Sequence, residues 1–200
     1  MDTNLTLELL RQSGAMLEGH FLLSSGRHSD RYFQCARLLE YPDRAEEALM
    51  KVGARLRDAL SSGELSFDLV VGPAMGGILP AWILGRSLGL PAIFTERDEA
   101  GKMSLRRGFE IRQGQGILIV EDVITTGKSS GECAEALRAA GGHVVALACI
   151  VDRRAEGIPV EWPLYAAATL PASSWDAAEC PLCARGEAFV KPGSRKMPGG

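Results

Sequence analysis

The chain contains two adjacent carboxylates that stand directly before a run of hydroxyl-bearing residues. In ILIVEDVITTGKSS (117–130), four apolar residues lead into the acidic pair, and the hydroxyl-rich loop (125–130) follows. A loop at a helix N-terminus offers backbone N–H groups and the positive dipole end to a phosphate. The carboxylates suit sugar hydroxyls or a metal ion. The segment predicts a phosphate-binding site, with these candidate residues: Glu121, Asp122, Val123, Ile124, Thr125, Thr126, Gly127, Lys128 and Ser129.

Two common nucleotide-binding motifs are excluded here. A Walker A loop ends in Gly-Lys-Ser, as residues 127–129 do, but it needs an earlier glycine at the position of Asp122. The dinucleotide motif would start at Gly114 and needs a glycine at the position of Ile119. The purely structural alternative is a strand end with solvated acids and a capped helix.

A glycine-rich turn (72–77) follows an earlier apolar run. In VVGPAMGGILPA (70–81), the turn carries Gly72, Met75 and Gly76. Such a turn can aim several backbone N–H groups at an anion. Glycine-rich turns between strands and helices are common, so a structural role is equally open for this turn alone.

The charged segment (95–112), TERDEAGKMSLRRGFEIR, carries five basic residues among four acidic ones. Arg97 and Lys102 are its first two cations. Taken alone, the segment is best interpreted as a solvated hairpin.

The elements that must position these residues alternate along the chain. Apolar runs predict strands at 68–72, 91–96, 116–123 and 143–152, and helical spacing predicts helices at 4–18, 43–60, 77–89 and 128–140. Buried strands separated by helices indicate an α/β fold, a parallel sheet with helices on both faces.

Length and composition favour one domain spanning residues 1–200. The net charge of −3 argues against a nucleic-acid partner, and no apolar stretch is long enough to span a membrane. The N-terminus lacks the pattern of a signal peptide, so we expect a cytoplasmic protein whose five cysteines stay reduced. The final residues, 191–200, are expected to fray.

ILIVEDVITTGKSS resembles the phosphoribosyl pyrophosphate signature of type I phosphoribosyltransferases. The resemblance implies that the hydroxyl-rich loop holds the 5′-phosphate and that Glu121 and Asp122 hold the ribose hydroxyls. It assigns the pyrophosphate to the glycine-rich turn with Gly72, Met75 and Gly76. It also implies Mg²⁺ as cofactor, held mainly by substrate oxygens and water with no direct protein ligand.

The same resemblance implies a flexible lid at about residues 96–112. In the family this loop closes over the active site of the neighbouring subunit, and its basic side chains hold the pyrophosphate. Arg97 and Lys102 are therefore candidate catalytic residues acting in trans, within a homodimer that shares its sites. Closure would protect an oxocarbenium-like ribosyl centre from water.

Three further features resemble the orotate phosphoribosyltransferases. FLLSSGRHSDRYF (21–33) is similar to their N-terminal hood, formed here by about residues 1–40, and Tyr32 and Phe33 would stack on the base. Arg153, in CIVDRRAEG, matches the arginine that pairs with the substrate, and a guanidinium suits the orotate carboxylate; Thr125 would contact orotate as well. The charged segment and two late stretches, CPLC (180–183) and KPGSR (191–195), resemble those of a subgroup of the same family. The implied products are orotidine 5′-monophosphate and pyrophosphate, in pyrimidine biosynthesis.

Three alternatives stay open at this point. They are a phosphoribosyltransferase for another base, such as a purine or uracil, a regulator that senses phosphoribosyl pyrophosphate without chemistry, and an unrelated nucleotide-binding protein.

Cys180 and Cys183 form a lone C-x-x-C pair. A zinc site would need two more ligands, so an inert or half-formed pair is the leading interpretation, with metal binding and redox chemistry as alternatives. The three histidines are scattered, and none is assigned to catalysis.

Overall fold

The computed structural model describes residues 3–23, 25–155, 157–171 and 173–192. Its strands are β1 (Met16–Leu22), β2 (His28–Phe33), β3 (Leu69–Pro73), β4 (Ala92–Arg97), β5 (Met103–Leu105), β6 (Gly116–Ile124), β7 (His143–Asp152), β8 (Leu164–Thr169) and β9 (Ser174–Trp175). Its helices are α1 (Thr3–Gln12), α2 (Ala36–Leu39), α3 (Pro42–Ser61), α4 (Ile78–Leu88), α5 (Lys128–Ala139) and α6 (Pro181–Ala184), with a 3₁₀ turn at Ala177–Glu179.

Six strands form a central sheet in the order β5-β4-β3-β6-β7-β8. All neighbours are parallel except the edge strand β5, which runs antiparallel to β4. Successive strand residues point to opposite faces, so Val70 and Leu118 pack with α3 and α4, whereas Val71 and Ile119 pack with α5. The predicted fold class, a parallel sheet with helices on both faces, is confirmed.

The parallel arrangement aligns the carboxyl ends of β3, β6 and β7 at one edge of the sheet. The glycine-rich turn follows β3, the hydroxyl-rich loop follows β6, and Arg153 follows β7. In open α/β sheets this edge is where ligands bind. The fold therefore brings three segments together that are far apart in the chain.

A second, small sheet covers this edge. It consists of the antiparallel hairpin β1–β2 and the short strand β9, which pairs with β2. Val190, close to the C-terminal end of the described chain, bridges to Phe21 of β1. The small sheet is thus built from both ends of the chain, whereas α1 packs on the main core through Leu9 and Leu10.

The structure differs from the expected elements in two places. The helix expected over 4–18 ends at Gln12, because Gly14 adopts a φ of 67° that a helix does not accommodate, and β1 begins at Met16. Strands β8 and β9, both in the C-terminal part of the chain, were not expected. The tail expected to fray lies outside the described residues from position 193 onward. None of the described helices is long and apolar enough to cross a bilayer.

Candidate functional site

The glycine-rich turn passes directly over Asp122 of β6. A Cβ built on Gly76 would lie 2.5 Å from Cγ of Asp122. Gly72 has no room for a side chain either, because backbone of the same turn lies against its Cα. Met75 is 82% exposed at the outer side of the turn. The structure therefore joins two loops that the sequence could only suggest separately.

Glu121 is buried beneath the hydroxyl-rich loop. Its Oε1 accepts hydrogen bonds from Oγ of Ser129 at 2.5 Å and of Ser130 at 3.3 Å. Burial raises the pKa of Glu121 from 4.5 to about 7, outweighing the lowering by these hydroxyls. Asp122 lies on the opposite face of β6, where its Oδ1 accepts the N–H of Val123 at 2.8 Å, and burial raises its pKa as well. Among the residues that the structure describes, neither carboxyl group forms an ion pair with a cation, so both can accept hydrogen bonds from a ligand.

The hydroxyl-rich loop enters α5 at Gly127, whose φ of 73° lies in the left-handed region. Gly127 has no side chain that could cap this helix, and the N–H of Lys128 makes only a long hydrogen bond, 3.4 Å, to Oγ1 of Thr126, so the N–H groups of the first turn can bind a ligand. The loop borders a depression of about 230 Å³. The residues lining this loop depression are Arg97, Glu121, Val123, Ile124, Thr125, Thr126, Gly127, Lys128, Ser129 and Ser130. Size, hydroxyl content and free N–H groups suit a phosphate group.

Arg97 ends β4 and lines this depression within its own chain. Its guanidinium donates hydrogen bonds to a carboxylate oxygen of Glu132 at 2.5 Å and to the carbonyl of Gly101 at 2.6 Å. Lys102 lies in the turn between β4 and β5, and its side chain is exposed. Asp98 closes that turn, since its Oδ1 accepts the N–H of Lys102 at 2.9 Å. Of the two lid candidates, Arg97 is the one placed beside the hydroxyl-rich loop.

The charged segment forms a hairpin from β4 and β5. Arg107 donates two hydrogen bonds to the carboxylate of Glu96, at 3.1 and 2.9 Å, and Arg106 lies 3.8 Å from the same group. These exposed ion pairs contribute little stability, and the hairpin is held to the central sheet by the pairing of β4 with β5 and by the buried side chain of Met103.

Arg153 is buried where β7 ends, under the small sheet. Its Nη2 donates to the carbonyl of Arg31 at 3.3 Å, and its guanidinium carbon lies 4.9 Å from the ring centroid of Phe33. Its Nε is buried and has no hydrogen-bond partner among the described residues. Burial lowers the pKa of Arg153, although a guanidinium stays charged in proteins. A buried cation with an unmade hydrogen bond favours an anionic ligand.

Arg153 opens into a cleft of about 590 Å³ between the small sheet and the central sheet. The lining of this Arg153 cleft comprises Leu22, Leu23, Ser25, Arg27, Tyr32, Phe33, Val123, Thr125, Thr126, Arg153, Ala155, Ile158, Ser174 and Pro192. Phe33 is buried beneath the guanidinium, whereas Tyr32 is half-buried and its hydroxyl donates to Gln34 Oε1 at 3.0 Å. The cleft is mainly apolar with one buried cation, which suits a flat, negatively charged ring.

The loop depression and the Arg153 cleft share Val123, Thr125 and Thr126, so they form one continuous site. Of the candidate site residues predicted from the sequence, Lys102 alone stands apart from these loops and clefts. Sequence reasoning missed Ser174 and did not assign Arg27, which donates to the carbonyl of Ser174 at 2.7 Å. Strand β9 is too short to show a period, so nothing in the sequence marked it as a wall of this site.

Comparison with known proteins agrees with this arrangement. The family model described as the phosphoribosyl transferase domain matches residues 43–182, which include both loops and Arg153. The chain therefore belongs to the phosphoribosyltransferases. An orotate phosphoribosyltransferase of Heliobacterium modesticaldum is 47% identical over 195 residues, covering 98% of this chain and all of that protein. Within the class, the chain belongs to the orotate phosphoribosyltransferase family.

Solved structures of that family share the fold. The orotate phosphoribosyltransferase of Aeropyrum pernix is 30% identical with a TM-score of 0.64, over 82% of this chain and 92% of that one. The Mycobacterium tuberculosis enzyme in complex with 5-phospho-α-D-ribosyl 1-diphosphate is 25% identical with a TM-score of 0.60, over 84% of this chain and 95% of that one.

Proposed function

We propose that this chain transfers ribose 5-phosphate from phosphoribosyl pyrophosphate to orotate, releasing pyrophosphate and forming orotidine 5′-monophosphate for pyrimidine biosynthesis. The observation that carries the proposal is the continuity of a phosphate-sized depression with a cleft that ends on the buried Arg153. Phosphoribosyl pyrophosphate needs the phosphate-sized depression, and orotate needs the cleft with the buried cation. Two relatives support this assignment: one is named an orotate phosphoribosyltransferase, and another was solved in complex with the same donor.

The donor occupies the loop depression in this proposal. The N–H groups and hydroxyls of the hydroxyl-rich loop bind the 5′-phosphate, and Glu121 and Asp122 accept hydrogen bonds from the ribose hydroxyls. The glycine-rich turn, through the backbone of Gly72, Met75 and Gly76, binds the pyrophosphate. The contact between Gly76 and Asp122 supports placing the pyrophosphate next to the ribose, because these two groups are adjacent in the donor.

Orotate occupies the Arg153 cleft. The unpaired N–H of Arg153 meets the orotate carboxylate, Tyr32 covers one face of the ring, and Thr125 contacts its edge. Phe33 lies beneath the guanidinium, so it orients Arg153 as well as closing the cleft. A ring nitrogen of orotate forms a bond to C1 of the ribose while the bond from C1 to pyrophosphate breaks. Orotate is acidic enough that the site needs no strong general base.

Mg²⁺ fits the donor set at this place, since carboxyl, hydroxyl and backbone oxygens are the hard ligands it prefers. Most ligands would come from the donor and water, with no direct protein ligand. When bound, the ion supplies positive charge that offsets the negative charge developing on the leaving pyrophosphate.

We propose that the two lid residues act on different active sites of a dimer. Arg97 serves the site of its own chain, because it already lines the loop depression. Lys102, on the exposed turn of the hairpin, reaches the site of a partner chain and binds the pyrophosphate there. This division modifies the expectation that both residues act in trans.

Lid exchange requires a homodimer, and α4 offers a surface for one. Trp82 and Leu79 of α4 and Met75 of the turn before it are at least half exposed, and Met50 of α3, the helix packed against α4, is 59% exposed. Exposed apolar side chains that cluster are typical of subunit interfaces.

We further propose one functional domain over residues 1–200, with the small sheet as its hood, acting in the cytoplasm, where its cysteines stay reduced.

The test is the absorbance of orotate in the presence of purified protein, phosphoribosyl pyrophosphate and Mg²⁺. Loss of the orotate signal that depends on both donor and metal is the expected result. If orotate is unchanged while the donor binds by calorimetry, the chain uses another base or senses the donor without chemistry. Assays with uracil and hypoxanthine then separate those outcomes.

A further inference from the structure

Four metal-ligating side chains meet at the end of the small sheet, outside the loop depression and the Arg153 cleft. His20 comes from β1, His28 from β2, and Cys180 and Cys183 from the C-terminal segment. One ligand atom of each lies within 4.8 Å of the others. The C-x-x-C pair, which lacked two partners in the sequence, acquires them because the hairpin folds against the chain's C-terminal end.

The distances between the ligand atoms suit a single ion. Nε2 of His20 lies 3.5 Å from Sγ of Cys180 and 3.7 Å from Sγ of Cys183, and Nδ1 of His28 lies 3.3 Å from Sγ of Cys183. A tetrahedral zinc ion with Zn–N of about 2.0–2.1 Å and Zn–S of about 2.3 Å separates its ligand atoms by about 3.3–3.8 Å. Nε2 of His20 and Nδ1 of His28 are 2.6 Å apart, so a further increase of less than about 1 Å brings them into that range.

His20 is already oriented as a ligand. Its Nδ1 lies 2.7 Å from the backbone carbonyl of Glu187, so this nitrogen carries the proton and donates it. The lone pair of Nε2 then points into the cluster. Such an outer hydrogen bond, which fixes the tautomer, accompanies most histidine ligands of metals.

The cluster is enclosed. His20, His28 and Cys180 are buried and Cys183 is half-buried. The ring of Phe189 covers the histidines, with centroid distances of 5.8 Å to His20 and 5.1 Å to His28. Four protein ligands in a closed pocket leave no position for substrate, which is the mark of a structural zinc site. Two thiolates also balance the charge of the dication, so the loaded site is neutral.

We propose that His20, His28, Cys180 and Cys183 bind one structural zinc ion that fastens the C-terminal segment to the small sheet. Thiolate and imidazole ligands select zinc over Mg²⁺, so this ion is distinct from the magnesium of the reaction. Binding displaces a proton from each thiol, and no electrons are transferred. The ion joins parts of the chain separated by more than 150 positions, and it does so next to Arg27 and Ser174, which wall the Arg153 cleft.

Metal analysis of the purified full-length chain tests this proposal without reference to activity. We expect native mass spectrometry and elemental analysis to find a single zinc ion per chain, or the reduced, metal-free chain to take up one equivalent against a chromophoric chelator. Replacement by Co²⁺ should give the visible bands of a tetrahedral ion and thiolate charge-transfer bands in the near ultraviolet. A reduced chain that takes up neither ion overturns the proposal.

Matched variants locate the site. Cys183→Ser and His28→Gln should lose zinc and the cobalt spectrum, while Cys149→Ala and His143→Gln, which remove a cysteine and a histidine elsewhere, should keep both. In the wild type, chelation of the metal should increase hydrogen exchange in residues 177–190 and leave β6 protected. Retention of zinc by the Cys183 and His28 variants would overturn the assignment. So would isolation of a Cys180–Cys183 disulfide form as the only stable state, because the pair would then be a redox couple.

Discussion

Gly76 lies against the carboxyl group of Asp122, and a Cβ at position 76 would come within 2.5 Å of Cγ and Oδ1 of that side chain. The contact couples the glycine-rich turn to the acidic pair across two neighbouring strands. The position of one loop therefore depends on the other, although the sequence separates them widely.

Gly76→Ala should disrupt donor binding more than it disrupts the fold. The added methyl group displaces Asp122 or lifts the turn, so calorimetry should show phosphoribosyl pyrophosphate affinity reduced by at least about tenfold, the equivalent of about 1.4 kcal/mol. Gly131→Ala is the control, since a Cβ there meets nothing within 4 Å and alanine favours the helix. Equal donor affinity in the Gly76 variant and the wild type would contradict the coupling.

Glu121 should make the unliganded protein less stable as pH rises. Its folded pKa of about 7 lies above the ordinary value of 4.5, so the folded state binds the proton more tightly than the unfolded state. The stabilisation is complete below about pH 4.5 and is lost as pH rises to about 7. Asp122, with its pKa also raised, acts in the same direction.

Glu121→Gln keeps the acceptor for Ser129 and removes the titration. Urea unfolding from pH 5 to pH 8 should therefore show a smaller decrease of stability in this variant than in the wild type. The same variant should bind the donor more weakly at pH 8, because an amide accepts ribose hydrogen bonds less strongly than a carboxylate. Parallel stability profiles of the two proteins would argue against a raised pKa at Glu121.

Arg153→Gln should impair orotate use selectively. Loss of a charge-assisted hydrogen bond in a buried site costs about 1.5–3 kcal/mol, which corresponds to about ten- to hundredfold in the KM for orotate. Donor affinity should change little, because Arg153 lies in the other half of the site. Arg138→Gln, which removes an exposed arginine that pairs with Glu161, serves as control. An unchanged KM for orotate in the Arg153 variant would remove the basis for the acceptor assignment.

Mixing experiments should separate the roles of Arg97 and Lys102. If Lys102 acts in trans, a mixture of Lys102→Ala and Arg153→Gln subunits forms hybrid dimers with one intact site, and activity recovers to about a quarter of the wild type. Arg97→Ala mixed with Arg153→Gln should not recover, because Arg97 lines the site of its own chain. Recovery in the second mixture would return Arg97 to a trans role.

Trp82→Glu should convert the proposed dimer into a monomer. A carboxylate on the exposed apolar face of α4 would have to be desolvated at the interface. Sedimentation equilibrium measures the state, and Leu17→Glu, on an exposed leucine of the small sheet, is the control. A Trp82→Glu protein that sediments as the wild type does would place the interface elsewhere.

Local patterns were sufficient for most of the fold. Apolar periodicity predicted α3, β3, α4, β6, α5 and β7 within a residue or two, because these elements bury continuous stripes or runs of side chains. Strands β8 and β9 and the early end of α1 were missed. The two residues of β9 are too few to show a period, and the end of α1 depends on a backbone angle at Gly14 that its neighbours do not dictate.

The sequence by itself determined the local arrangement of the predicted phosphate-binding segment, since the acidic pair and the hydroxyl-rich loop are contiguous in one strand, one loop and one helix N-terminus. Only the tertiary structure decided which distant groups meet. Packing between segments far apart in the chain produces the contact of Gly76 with Asp122 and leaves Nε of Arg153 without a partner among the described residues. The same packing brings together the four proposed metal ligands, His20, His28, Cys180 and Cys183. Burial and hydrogen-bond satisfaction are properties of that packing, and the spacing of residues along one segment does not contain them.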